Sequence, residues 1–358
     1  MDQFTIDNQG ITELNQLLFL TILQTGLINQ TLDLMTGVEP GSRLGGIGEM
    51  ESVGRPANGC KPNWRASKID TQEKMWELGA YEVAETICYQ DLEDTIVRWS
   101  MRLGTDRADF TGGDYMNLIV EPKLREALDK MIWRMLWFGN KAALNVSDDG
   151  DITDDVDTDL FTVCDGLFKR IFDITIANPA QRVTIAANAA TTYEAQQSGI
   201  LVAGVAKQIF DDLYYKIAPK KLRQKSDRVL LMTQSLADAL TIDIKRNTGS
   251  ELQWKSILEG LGNESSLMTT TIYNGQTILA LPIWDDMIKS YQDTGSSLIL
   301  PHRAVFASKS DLKAGVHSND MIAQLKIWFS DDDQDNKMLV RDKLGTLTWE
   351  DNLIVAAY

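Results

Sequence analysis

A chain of 358 residues with 44% hydrophobic and 24% charged residues is long enough for a large core and two or three domains, and too apolar to be mainly disordered. A formal charge of −16 argues against tight, direct binding to duplex DNA or RNA, which needs a basic patch, and a mean hydropathy of −0.19 with no apolar run of spanning length argues against a helical membrane protein. Cys60, Cys88 and Cys164 are odd in number and widely spaced, and only His302 and His317 occur, so a disulfide framework, a structural zinc site and a multi-histidine centre are not supported and a reducing cytoplasm is the default.

From the N terminus, Leu14 to Leu34 is an amphipathic helical stretch interrupted by Asn15, Gln16, Gln24, Asn29 and Gln30, with no basic residue ahead of it such as a signal peptide has. Residues 1–36 read as an arm. Thr36 to Asn63 carries seven glycines and three prolines with little periodicity, which predicts an extended excursion. From Trp64 to Val97 the alternation of polar and apolar residues predicts strands, and hence a two-stranded loop returning to the body.

The strongest helical pattern runs from Tyr115 to Gly139. Leu124, Leu128, Met131, Ile132, Met135 and Phe138 share a stripe, and Glu126 and Lys130 form an i,i+4 pair on the wet face. Pro122 either opens a helix of about 26 Å or kinks one of about 36 Å. Ser147 to Asp159 then holds seven aspartates and must lie in solvent or bind a cation.

Phe161 to Ile171 is predicted as a short helix and Tyr193 to Ile217 as a second long one, with Ile200, Leu201, Val205, Ile209, Leu213 and Tyr214 on one face and Pro219 as its stop. Val229 to Thr233 reads as a buried strand, Ser235 as the cap of a helix from Leu236, and Leu252 to Leu261 as helical. Thr269–Tyr273 and Gln276–Leu281 form a hairpin about Asn274-Gly275, ended by Pro282. Strands are expected at Leu298–Leu300, Arg303–Ala307, Ile322–Phe329, Lys337–Arg341, Thr346–Glu350 and Leu353–Ala357, with a short helix around Asp311. Helices and antiparallel strands interleave without a βαβ rhythm, so the fold class is α+β.

Catalytic signatures are lacking: the sequence has no nucleotide-binding glycine loop, nucleophile elbow or zinc-protease motif. No catalytic residue and no cofactor is assigned, and the chain is not read as an enzyme. Asp331, Asp333, Asp335 and Asp342 occupy positions 1, 3, 5 and 12 of a calcium-loop spacing and are candidate metal ligands, although Asn336 stands where glycine is expected and the flanks read as strands. Asn145, Ser147, Asp149, Gly150 and Asp151 give a second such spacing that ends in Val156. A solvated turn is the simpler account of both. Asp243, Lys245 and Arg246 read as polar surface, and Trp133 and Trp137, on one edge of the long helix, as packing anchors that could also serve subunit contacts.

The order of these features, with the phrases YQDLEDT at 89–95, DRVLLMTQSLADAL at 227–240, NGQTILALPIWDD at 274–286 and LILPHRAVFASKSDLKAGV at 298–316, resembles the major capsid protein of tailed DNA bacteriophages, whose fold is shared with encapsulins. The resemblance implies an N-terminal arm at 1–36, an extended β-hairpin loop at 37–88, a spine helix and peripheral domain within 89–226, an axial domain at 227–300, and a β-rich return to the peripheral domain at 301–358. It implies self-assembly through pentamers and hexamers into an icosahedral head that encloses a double-stranded DNA genome, with the virion capsid as location and the host cytoplasm as site of assembly. Scaffold, portal and decoration proteins are candidate partners; sequence-specific DNA binding and a membrane are not expected.

Some relatives fuse a long cleavable scaffolding region ahead of the loop, and 36 residues are too few for one, which implies a separate scaffold or none. Others link subunits through lysine and asparagine; Lys61, Lys68 and Lys74 lie on the expected loop, with no partner identified. The alternatives are an encapsulin-like compartment or, in a different class, an acidic cation-binding protein or hydrolase. On the capsid reading the Trp133 and Trp137 edge braces the base of the loop, so Leu128→Asp is expected to abolish assembly before solubility.

Overall fold

The computed structural model describes residues 28–50, 69–88, 121–256, 268–317, 326–330 and 335–358. The strands, numbered in chain order, form three sheets. In the first, β1 (Asp33–Thr36) runs parallel to β11 (Leu312–Val316), which pairs antiparallel with β13 (Asp335–Thr348). The long β13 also pairs with β12 (Lys326–Ser330) and, over ten register positions, with β4 (Gly79–Cys88). The second sheet has the order β5 (Arg182–Val183), β14 (Val355–Ala357), β10 (Ala304–Ser308), β6 (Arg228–Thr233), β9 (Gln276–Leu281), β8 (Thr269–Tyr273) and β7 (Lys255–Ser256). The third is a ribbon of β2 (Arg43–Met50) and β3 (Ile69–Met75).

Helix α1 (Glu121–Trp133) continues as a π-helical turn, Arg134–Phe138. It is followed by α2 (Leu167–Ala177), α3 (Tyr193–Ile200), α4 (Val205–Asp211), α5 (Lys220–Gln224), α6 (Gln234–Thr248) and α7 (Pro282–Tyr291). The mixture of helices with largely antiparallel sheets is the α+β class expected.

The central strands explain where the helices go. Side chains alternate across a strand, and β6 sends Val229 and Leu231 into one core and Leu230 and Met232 into another. Val305 and Ala307 against Ala304 and Phe306 in β10, and Leu279 and Leu281 against Ile278 and Ala280 in β9, divide in the same way. The seven-stranded sheet is therefore covered on both faces, which is why its inner strands read as unbroken apolar runs. The larger core holds α1, α2 and α7; the other holds α4 and α6.

Within the larger core sits Arg303, 1% exposed. Its Nε donates to Leu300 O at 2.7 Å, and its Nη2 to Gln292 Oε1 at 2.5 Å and Ile299 O at 2.9 Å. The guanidinium lies 4.7 Å from the Phe168 ring centroid and also faces Phe138 and Phe172. Burial pulls its pKa down to about 9, so it still carries its charge at neutral pH.

Several expectations change. Among the described residues the long helix starts at Glu121 with Pro122 in its first turn, where the missing N–H breaks no helical bond; Tyr115 to Val120 lie outside them. Leu128, Met131, Ile132, Met135 and Phe138 are buried as the stripe requires, and Lys130 pairs with Glu126 at 2.9 Å. Trp133, Leu136 and Trp137 are buried as well, so from Met131 to Phe138 only Arg134 keeps partial exposure.

Tyr193 to Ile217 is not one helix. It breaks at Leu201 to Gly204, because the buried Asp243 carboxylate on α6 accepts from Gly204 N at 3.0 Å and Lys207 N at 3.2 Å and starts α4 afresh, with Gly204 at φ 87°. Asp243 is thus a buried helix cap rather than polar surface. Ser235 does not cap α6 either. The Asp285 carboxylate on α7 accepts from Gln234 N at 2.6 Å and Ser235 N at 3.2 Å.

The helix expected over 161–171 lies further on, as α2, after a 3-10 turn at Thr158–Leu160. Residues 252–256 are coil and β7 rather than helix, and 257–261 lie outside the described residues. Pro282 opens α7, as proline at a first helical position can. Leu298 makes an isolated bridge to Asp293 in place of a strand over 298–300. The two late strands at 337–341 and 346–350 belong to the single β13, and β11 follows the turn around Asp311. The hairpin is as expected, with Asn274 at φ 51° and Gly275 at φ 73° in its turn.

Candidate functional site

The ribbon and its base stand out. Arg43 to Ile47 pairs antiparallel with Met75 to Thr71, and Met50 with Ile69 after a register shift. Arg43, Gly45, Glu73 and Met75 are exposed while Leu44, Gly46 and Lys74 are half-buried and Gln72, opposite Gly46, is exposed, so one face is wet and the other leans on the body near the ribbon's foot. Arg43 pairs with Glu73 across the wet face at 3.2 Å. Among the described residues β2 and β3 pair only with each other.

Among the described residues, the body grips the ribbon at its base. Trp76, 3% exposed, packs in a small separate core with Val38 and Leu347, against which Met35, Leu44 and Leu78 lean. Trp76 N donates to Ser42 O and Gly41 N to Trp76 O, both at 2.9 Å, which closes the ribbon's foot. Lys74 Nζ reaches Asp351 Oδ1 at 2.6 Å, an oxygen that also accepts from Thr348 Oγ1 at 2.8 Å. Lys141, just beyond the π-helical turn, pairs with Glu77 at 3.0 Å and ties the β3–β4 connection to the end of the long helix.

That last contact corrects the brace expected from tryptophan. Trp137 meets Trp284 of α7 at 4.6 Å and Phe168 of α2 at 5.3 Å, and Trp133 is equally enclosed, so both serve the body's own core. Leu128 is 1% exposed in that core, and an aspartate there attacks folding and not assembly alone. Of the loop lysines, Lys74 is the one within the described residues, and its amine is held by Asp351.

Asp331 and Asp333 lie outside the described residues. Asp335 opens β13 and Asp342 follows seven positions along it. Asp342 accepts from its neighbour Lys343 N at 2.7 Å. In the other acidic stretch the Asn145 amide donates to Thr153 O at 2.9 Å and Val156 O at 3.0 Å, and Asp154 accepts from Ser147 N at 2.8 Å, so the loop is knitted by its own bonds. Among the described residues no three His, Cys, Asp or Glu side chains are grouped to hold a metal.

Ser235, Asp285 and His302 meet in a small cleft, a grouping that sequence spacing did not suggest. Ser235 Oγ lies 3.1 Å from His302 Nδ1, and His302 Nε2 lies 3.0 Å from Gln196 O. The carboxylate caps α6 and does not orient the imidazole. Burial holds the His302 pKa down at about 4, so the ring is a poor proton acceptor. These three residues join α3, α6 and α7 and do not form a nucleophilic triad.

No family model matches the chain, and no curated protein does. Among solved structures, a chain of the satellite phage P4 procapsid including size determination (Sid) protein aligns over 96% of this chain and 98% of its own length, with a TM-score of 0.53 at 11% identity. The chain has the capsid fold of the tailed bacteriophages. This capsid fold also aligns with a chain of Gordonia phage Cozz, over 93% and 85% of the two chains at a TM-score of 0.49 and 10% identity. A virus-like particle from Pyrococcus furiosus aligns over 97% and 98% at 0.42 and 11%.

Proposed function

We propose that the chain is the shell-forming subunit of a tailed-phage head, assembling with copies of itself into an icosahedral particle that encloses double-stranded DNA. The observation that carries this is the β2–β3 ribbon on a body of capsid fold: among the described residues it is paired only with itself, wet on one face and held by the body at its foot. A ribbon laid over a neighbouring copy adds apolar burial and backbone pairing there, and weak contacts of this kind reinforce one another once rings close.

In this reading residues 1–36 are the arm, 37–88 the extended loop, 89–226 the spine and peripheral domain, 227–300 the axial domain, and 301–358 the return. Pentamers and hexamers are the assembly units, in the host cytoplasm, and scaffold, portal and decoration proteins are the further partners. The chain acts as a structural protein and not as an enzyme. Its charge of −16 suits a wall that encloses DNA without gripping it, and makes assembly depend on salt that screens subunit from subunit.

Size-exclusion chromatography with negative-stain microscopy across salt, pH and added scaffold tests the proposal. Closed particles of uniform diameter are the expected outcome. A monomer under every condition rejects it.

A further inference from the structure

We infer, on the reading of the chain as a shell subunit, that two tryptophan-over-glycine contacts fix the angle at which the β2–β3 ribbon leaves the body, and that this angle sets the diameter of the closed shell. The two contacts are reciprocal. Trp76 follows the ribbon and covers Gly315 of β11 in the body, where a Cβ would lie 2.8 Å from the ring. Trp349 follows β13 in the body and covers Gly46 of β2 in the ribbon, where a Cβ would collide with the ring. Each glycine is there because the ring occupies the place of its side chain.

Two points of contact leave one rotation free, about the line that joins them. The ion pair of Lys74 with Asp351 supplies a third point, and Thr348 holds that carboxylate in place. Three contacts on rigid elements leave the ribbon no soft direction at its foot, and packed groups pass a displacement on rather than absorb it. Where copies contact head to tail, the rotation from one to the next decides which ring closes, so a small tilt of a contact-making arm changes the curvature.

Gly315 lies on the body side of the other contact, outside the ribbon, so a change there tests the same angle without altering the surface that the ribbon offers to a neighbour. Gly46→Ala, Gly315→Ala and wild type are assembled side by side, with particle diameters measured by negative-stain microscopy and subunit folding by circular dichroism. The expected result is that both variants lose the native-diameter population, giving particles of another size or unclosed sheets.

Native-diameter particles from Gly46→Ala overturn the inference and leave the shell reading standing. If Gly46→Ala yields no folded subunit, Trp349→Leu removes the ring from the same contact without adding atoms, and a native diameter there overturns the inference equally. A folded wild-type chain that never forms particles overturns the shell reading, and this inference with it.

Discussion

The body and the ribbon use the same residue type under opposite conditions. Trp137 is fully buried, edge-on to Trp284, beside Phe168 and inside a core drawn from α1, α2, α7 and two sheets. Trp76 is almost as enclosed, yet among the described residues only Val38 and Leu347 share its cluster as buried partners. One tryptophan is held by the whole domain, the other by a patch. The difference separates two properties that mutation usually confounds: the body's core carries the stability of the subunit, and the patch carries the placement of one appendage.

The largest expected effect lies in the body. Trp137→Ala should cost about 4 kcal/mol, the usual range for a buried aromatic ring, and urea denaturation of the unassembled subunit should show it as a lower midpoint of the main transition. A main transition unmoved by this change would break the contrast at its stronger end.

Next comes the pH dependence of the body. His302 has its folded pKa lowered to about 4 from 6.5, so the unfolded chain takes up its proton first as pH falls. Its contribution is fully present above pH 6.5 and is lost toward pH 4, a full swing of about 3 kcal/mol at roughly 1.4 kcal/mol per pKa unit. Asp285, whose pKa burial raises, acts in the opposite sense, so the measurement is a difference. The gap in urea midpoint between wild type and His302→Gln should narrow from pH 7 to pH 4.5.

At the ribbon's foot, Trp76→Ala should cost about 3 kcal/mol, the low end for a buried aromatic ring, and show chiefly as local opening. Hydrogen exchange should quicken over residues 69–76 while the main urea transition stays close to wild type. A shift of the main transition as large as that of Trp137→Ala would mean that the two regions unfold as one. The smallest effect is expected from Lys74→Ala, about 0.5 kcal/mol, because both partners of that ion pair keep substantial contact with water. Calorimetric melting of the subunit should barely register it.

What the sequence revealed follows the same division. The stripe of α1, the strand β6, the Asn274-Gly275 turn and the polar, glycine-rich ribbon all depend on local periodicity or turn chemistry, and all are present. The misjudged places were set from a distance. Periodicity carried a helix through Leu201 and Val205, and only a carboxylate on α6 explains the break. Ser235 looked like a cap because nothing nearby pointed to Asp285. β13 read as two strands because Asp342-Lys343 interrupts its apolar pattern, although ladders to β4 and β11 carry the backbone straight through. In the candidate site, alternation flagged β3 and the glycines flagged the excursion that holds β2, but which tryptophan faces the body and which glycine receives it depends on tertiary approach.

The pairing of β4 with β13 has a mechanical consequence. Ten register positions, from Gly79 opposite Leu344 to Cys88 opposite Asp335, join the segment that follows the ribbon to a strand that β11 and β12 hold from its other side. Tension drawn along these strands must slide all ten pairs together, whereas a force directed across them can peel the pairs one at a time. In the proposed shell, a pull along the ribbons would load this seam in shear, its most resistant direction.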